Sequence, residues 1–467
     1  MTASQETCDL VITNACVLSL NTRREIFTRG AIAVKGRDIV AVGPEKEVTA
    51  SHRAARIIDA GGGVAHPGLL DCHVHLMHNA RGAFPDNTPW DQGMRFYARW
   101  RDLLNDVEEH AACLLACLEM AKNGTTFFME AGTVLSPDVA AEAANDVGIR
   151  GSVADPMLWD IGGLSLDMLI RRAPVDYDRS IRELGGQLRR NQEAHSLVRG
   201  HIAVYGGGTA SDELIRAAKS CADAAGAIYA QHQSFSAEDV DADCARFGEP
   251  PLLHFEKLGV LGPRSIFTHL NIVSDEEFDA IRRSGLSTVW CVSSSMVWGV
   301  GGTIHGRHPE MHQCGIPVGF GSDSANSCGR FDPSFQGCLA VLTAREKSRN
   351  RDALSFEEAL EIATVGGARA VGMQDVVGSL EPGKRADIVI RSPDVPEMQP
   401  GVDPVQAIMF SAGSKGVDTV IVDGRIIIEN GRSTLVDEER IYALARESAS
   451  RMIHRVDEVI KPRWPRQ

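Results

Sequence analysis

Pro67-Gly68-Leu69-Leu70-Asp71-Cys72-His73-Val74-His75-Leu76 runs from a turn signal through an apolar segment into two histidines spaced i, i+2. On a β-strand, side chains two apart point to the same side. Two imidazoles on one side of a strand end chelate one metal ion. Pro67-Gly68 marks a turn ahead of the strand, so the segment reads as the first strand of a new domain. The plainer alternative is a polar pair on an exposed strand. Asp71 and the apolar flanks instead suit a buried strand whose end carries chemistry.

Before this stretch the chain reads as short strands and turns: Leu10-Val11-Ile12, Ala31-Ile32-Ala33-Val34 and Asp38-Ile39-Val40-Ala41-Val42, closed by Gly61-Gly62-Gly63. The far end has the same character. Ala386–Ile390 and Val417–Ile428 are β-rich, with a hairpin signal at Asp423-Gly424. Both ends, 1–65 and 373–467, are therefore expected to build one small composite β-sandwich. A helix is expected from Asp437 to about Lys461, with Ile441, Leu444, Ala445, Met452 and Val456 on one side and Ser448 as its polar break.

After the first strand, the middle of the chain, 66–372, alternates helices with short apolar strands, among them Gly124–Glu130, His201–Tyr205, Ala227–His232, Ser265–His269, Ser287–Trp290 and Ile316–Asp323. Alternation over about 300 residues predicts an α/β fold, a parallel (β/α)8 TIM barrel. Chemistry in such a barrel sits at the C-terminal strand ends. His73 and His75, His232, His269 and Asp323 each stand at one. Together they suit a divalent metal with an open position for water. A bound metal acidifies that water and polarises a carbonyl. Asp323 is then placed to take the proton and deliver it to a leaving group, and His269 to hold the attacked oxygen or the developing oxyanion.

Composition narrows the partners. The 467 residues are 43% hydrophobic and 24% charged, with 48 basic against 62 acidic side chains and a net charge of -14. That balance opposes nucleic acid and anionic membrane surfaces, both of which need neutralising cations. No stretch approaches the roughly 20 apolar residues of a membrane span. Met1–Glu6 has no signal-peptide pattern. The 11 cysteines show no framework spacing, so reduced thiols and a cytoplasmic protein with a small-molecule substrate are expected.

Pro67 to His75 resembles the first-strand signature of the metal-dependent amidohydrolase superfamily. Thr268-His269 resembles its sixth-strand histidine, and Gly321-Ser322-Asp323-Ser324 its eighth-strand aspartate. Leu380–Asp387 and Val420–Arg425 look like the composite β-sandwich of the branch holding cytosine deaminases and atrazine chlorohydrolase. The resemblance implies metal ligands at His73, His75, His232 and Asp323, with His269 near or on the metal. The superfamily's bridging lysine on strand four is not visible between Ile202 and Gly208, which favours one metal. Zinc or cobalt is expected, and a homo-oligomer by family analogy. A non-catalytic barrel is the reading that the intact ligand set opposes.

The departures bear on substrate. Deaminating members of the branch carry a glutamate three residues after the fifth-strand histidine, which protonates a ring nitrogen; here that position is Phe235. Their fourth-strand histidine falls near Tyr205. An amide, carbamate or urea carbonyl needs no ring protonation. Similar losses within the branch are associated with hydrolases of thiocarbamate (molinate) and phenylurea herbicides. The expectation is therefore a xenobiotic-degrading hydrolase that cleaves an amide-like C–N bond of a small uncharged apolar compound by a metal-activated water. The alternative is a deaminase or dechlorinase of a triazine- or nucleobase-type ring.

Expected substrate contacts are Phe235, Tyr205, Trp290, Trp298 and His305, with Phe128 on an apparent third strand and Trp159 beyond it. Phe84, Trp90, Phe96, Tyr97 and Trp100 read either as core or as a lid. Of His305, His308 and His312, most are expected at the surface or in loops. His78 is weighed as a support beside the metal strand. Gly299–Gly302 reads as a strand-to-helix loop, since no lysine or dinucleotide spacing accompanies it.

Overall fold

The structure, a computed structural model, describes residues 5–77, 81–83, 88–162, 170–456 and 464. Its two layers of organisation are a sheet made from both chain ends and a ring of parallel strands between them.

The sheet has nine strands among the described residues. Glu6–Leu18 pairs antiparallel with Ile26–Lys35, which pairs with Asp38–Pro44. Glu6–Leu18 also runs parallel to His52–Asp59 and to Val64–Pro67. The ends meet where Val64–Pro67 pairs antiparallel with Ile388–Arg391, which pairs in turn with Val417–Val422. Asp423 (φ 52°) and Gly424 (φ 79°) both turn left-handed between Val422 and its partner Arg425. That is the two-residue turn whose twist matches a hairpin. Alternating Leu10, Ile12, Ile32, Val34, Ile388 and Ile390 bury one face.

The barrel strands are Leu69–His75, Thr125–Glu130, Arg150–Val153, a fourth in two pieces (Val198–Gly200 and Ile202–Gly206), Tyr229–Gln233, Ser265–His269, Ser287–Trp290, and an eighth in two pieces (Val318–Phe320 and Asp323–Ser324). All pair in parallel. The fourth and eighth strands each change neighbours at a seam, His201 and Gly321-Ser322, so chain continuity closes the ring. Gly321 is required at its seam: a Cβ there would lie 2.8 Å from His73 Cβ and from Cys291 Sγ. The first strand thus packs hard against the break that releases Asp323. Asp71 Oδ1 accepts the Ser322 N–H at 2.8 Å and fixes the same junction.

Two expectations on elements change. Phe128 sits on the second barrel strand, because Thr125–Glu130 pairs directly with Leu69–His75. Trp90, Phe96, Tyr97 and Trp100 belong to a helix, Trp90–Leu103, followed by Asp106–Lys122, which Asn105 and Glu108 start with a capping box. The C-terminal helix runs Glu438–Arg455 behind the Asp437 cap. Its expected stretch from 457 to 461 lies outside the described residues. Ser448 is buried on its packed side with Ile441, Ala445 and Met452. Among the described residues no helix is long and apolar enough to cross a membrane.

Candidate active site

His73 and His75 leave the first strand on one side and meet residues from three other strand ends. His75 Nε2 lies 3.2 Å from Asp323 Oδ1 and 3.4 Å from His232 Nε2. The His73 ring is centred 4.6 Å from that of His232 and 5.6 Å from that of His269. The ligand atoms of His73, His75 and His232 all lie within 4.8 Å of one another, as do those of His269, Cys291 and Asp323. The fold therefore gathers all five residues that the sequence singles out for the metal.

The two that close the site are held in unusual backbone geometry. His269 has φ 79° and Asp323 φ 66°. Left-handed conformations cost non-glycine residues about 1–3 kcal/mol and persist where the surroundings over-determine them. Here His269 ends the sixth strand, Asp323 opens the second piece of the eighth, and both are buried against the other ligands.

Electrostatics favours neutral imidazoles around an ionised carboxylate. Burial, reinforced by neighbouring histidines, holds His73 and His232 well below the ordinary imidazole range. Burial lowers His269 to about 4. For Asp323 burial acts upward, but the hydrogen bond to His75 and the surrounding imidazoles hold its carboxyl well below the usual range. Neutral imidazole and ionised carboxylate are the ligand forms a metal needs. His73 Nε2 is buried without a hydrogen-bond partner, and two further imidazole nitrogens converge beside it. A buried cluster of lone pairs is unfavourable without a cation. The site fits a divalent ion held by His73, His75, His232 and Asp323, with His269 alongside.

A cavity of about 320 Å³ opens over these residues. Phe235, Trp298 and Tyr205 line it. The Phe235 ring meets His269 edge-on at 4.8 Å and stacks on Trp90 at 5.6 Å; Trp90 meets Trp298 at 4.7 Å. Tyr205 lies 5.2 Å from His232. Met94, Ala98 and Ile170 extend the apolar wall. Of the helix aromatics, Trp90 and Tyr97 face the cavity, whereas Phe96 and Trp100 belong to the core.

Two expected contacts sit elsewhere. Trp290 is 2% exposed and stacks on His308 at 4.9 Å, outside the cavity wall. The chain turns into the helix Val292–Trp298 right after it, so the ring packs in the shell behind the site. His305 ends the short helix Gly302–His305 and is exposed, away from the cavity. His308 is fully buried, contrary to a surface reading. Phe128 packs in the core against Gly151, and Trp159 donates to the Ala173 carbonyl at 2.9 Å from behind the wall. His78 and Phe84 lie outside the described residues.

Sequence reasoning missed Ser294, Thr133 and Glu130, which touch the ligands or their partners, and the wall residues Arg101, Asp239 and Asp243. Glu130 was within reach of the rule that found Asp323, a carboxylate at a barrel strand end. Nothing marks the two hydroxyls.

The family described as "Amidohydrolase family" matches residues 64–427. Over 452 residues, 96% of this chain and 99% of the relative, the chain is 27% identical to a 5-methylthioadenosine/S-adenosylhomocysteine deaminase of Pelotomaculum thermopropionicum. Its fold matches an adenosine deaminase from Xanthomonas campestris with bound zinc at a TM-score of 0.88, with 24% identity, covering 96% of this chain and 99% of that one. It matches an atrazine chlorohydrolase from Arthrobacter aurescens TC1 complexed with zinc at 0.83, with 24% identity, covering 94% and 100%.

Proposed function

The chain belongs to the amidohydrolase family, and from that premise we propose that it hydrolyses an amide-like C–N bond of a small uncharged apolar compound. Carbamates, thiocarbamates, ureas and amides are the substrate class, and breakdown of such xenobiotics is the role. One divalent ion, zinc or cobalt, would be held by His73, His75, His232 and Asp323, with His269 beside it. When bound, the ion supplies Lewis-acid polarisation of a carbonyl and acidifies water. Asp323 takes a proton and returns it to the leaving nitrogen. His269 borders the reacting centre with a neutral ring.

The observation that carries this reading is Phe235. Its ring occupies the cavity wall beside His269, at the position where ring-deaminating relatives are expected to carry an acid. With Trp90 and Trp298 it offers an N-alkyl or N-aryl group apolar burial, at about 25 cal/mol per Å². A carbonyl polarised directly needs no acid at that position.

A second reading, deamination or dechlorination of a nitrogen heteroaromatic ring, is favoured by the relatives. The curated match is a deaminase of adenosine-type substrates, and the structural matches act on adenosine or atrazine. Taken alone, the comparisons support this reading better than the first. Asp239 and Asp243 on the cavity wall would offer acceptors to such a ring. The test is a substrate panel with the metal-loaded protein, products read by mass spectrometry. Release of an organic amine from N-substituted carbonyl compounds supports the first reading. Faster release of ammonia or chloride from adenosine-type or triazine rings replaces it with the second.

A homo-oligomer follows by family analogy, and light scattering tests it. Eleven free cysteines support a reducing, cytoplasmic setting.

A further inference from the structure

Behind His75 stands a buried chain of two side chains that the catalytic reading leaves unused. Glu130 ends the second barrel strand and is 0% exposed, as is Thr133. Glu130 Oε2 accepts the N–H of Gly132 at 2.7 Å and of Thr133 at 3.1 Å. Its Oε1 accepts from Thr133 N at 3.1 Å, Val134 N at 3.3 Å and Thr133 Oγ1 at 2.6 Å. Backbone N–H groups only donate, so both carboxylate oxygens are acceptors here. The single hydroxyl proton of Thr133 is therefore committed to Glu130. Toward His75 Nδ1, 2.8 Å away, Thr133 Oγ1 has only lone pairs left.

We propose that Thr133, locked by Glu130, is a positioning residue that fixes the tautomer and orientation of His75 and thereby sets the affinity of the metal site. With the ion bound, His75 Nδ1 would carry the proton and donate it to Thr133. The Nε2 lone pair then points at Asp323 Oδ1 and His232 Nε2, where the ion is held. A ligand histidine whose second nitrogen is fixed in this way is pre-organised and more basic. The arrangement is specific to one ligand. His73 Nδ1 also lies near a threonine hydroxyl, Thr268 Oγ1 at 3.2 Å, but that hydroxyl has no carboxylate behind it among the described residues. The inference depends on the metal site alone and not on which C–N bond is cleaved.

The test is metal affinity of the full chain, measured with zinc alone by competition against a chromophoric chelator. Thr133→Val keeps the side-chain shape and the backbone N–H bonds to Glu130 but deletes the hydroxyl. It is expected to weaken zinc about 10–100-fold, with the melting temperature of the metal-free protein close to that of the parent. Thr133→Ser restores the hydroxyl and is expected to restore affinity. Glu130→Gln, which turns an acceptor into a competing donor, is expected to weaken zinc as well. Nitrogen-15 spectra of the zinc-loaded parent are expected to show His75 protonated at Nδ1, with Nε2 turned to the zinc. Affinity of Thr133→Val within about twofold of the parent, far below the effect usual for such partners, overturns the proposal, as does a zinc-loaded form in which His75 carries its proton on Nε2. Should Thr133→Val fail to fold, Glu130→Gln and the tautomer decide by the same criteria.

Discussion

Ser294 Oγ donates to Asp323 Oδ2 at 2.5 Å, while Asp323 Oδ1 faces His75 Nε2 at 3.2 Å. One carboxylate oxygen is thus turned to the imidazole cluster and the other is held by a hydroxyl that also lines the cavity. The division gives the two oxygens different work. On the proposed reading, Oδ1 would join the ligand set, and Oδ2, held by Ser294, would accept and return the proton.

Removing that basicity is expected to be severe. Asp323→Asn should lower kcat by about two orders of magnitude or more, the scale of a general acid–base group. Ser294→Ala should lower kcat about 10–100-fold with metal content intact, since a hydrogen bond to a charged group is worth about 1.5–3 kcal/mol. Steady-state kinetics with parallel elemental analysis checks both. An Asp323→Asn enzyme within about threefold of the parent would remove the proton-transfer role, given that scale.

Metal content is the second expectation. His73→Ala and His75→Ala should each lose the ion and the activity together, because each deletes a ligand from a site with few to spare. Elemental analysis of fully active protein should find about one ion per chain. Two ions, or full activity in either variant, contradicts the single-ion site.

A third concerns pH and rests on a buried imidazole behind the site, next to His269. Burial depresses His308 to about 3, and the ring stacks on Trp290 at 4.9 Å. In the unfolded chain the same imidazole titrates near 6.5. Between those values the unfolded state binds the extra proton, so stability falls as pH drops through the window. The contribution is full above about 6.5 and is lost at about 1.4 kcal/mol per pH unit below it. His308→Phe keeps a ring against Trp290 and removes the titration. Urea denaturation from pH 4 to 8 should show the parent losing stability relative to this variant only below about 6.5. A pH-independent difference would mean that His308 is charged in the fold or unburied.

The strand-end residues were legible because two rules of local geometry meet at them. Period-two alternation fixes which side His73 and His75 share, and a parallel barrel brings its C-terminal strand ends together whatever lies between. Residues beyond the strand ends escaped the same reasoning. Trp290 and His305 take their direction from the helix that starts at Val292 and the short one that starts at Gly302. Ser294 meets a partner 29 residues away and Thr133 one 58 away, and no composition or spacing distinguishes those hydroxyls from any others. Sidedness is local information; the partner of a hydroxyl is set by packing.

Phe235 separates the two readings of the reaction, and exchanging it makes the separation measurable. Its ring is fixed between Trp90 and His269 at the cavity wall. If it packs an N-substituent, Phe235→Ala should raise KM for N-aryl and N-alkyl carbonyl compounds with a smaller change in kcat. The loss of apolar contact should be on the order of 1.5–3 kcal/mol. Phe235→Glu goes further. A carboxyl in this apolar surround has its pKa raised by desolvation, so part of it stays protonated near neutral pH and can donate to a ring nitrogen. Hydrolysis of apolar carbonyl compounds should fall, since the charged form excludes their N-substituent. Ammonia or chloride release from heteroaromatic rings should rise from a low level in the parent. Kinetics of parent and both variants on matched panels decides. Should the parent already turn over rings better than every carbonyl compound, and Phe235→Ala leave every KM unchanged, the phenyl ring has no part in choosing substrate and the deaminase reading takes precedence.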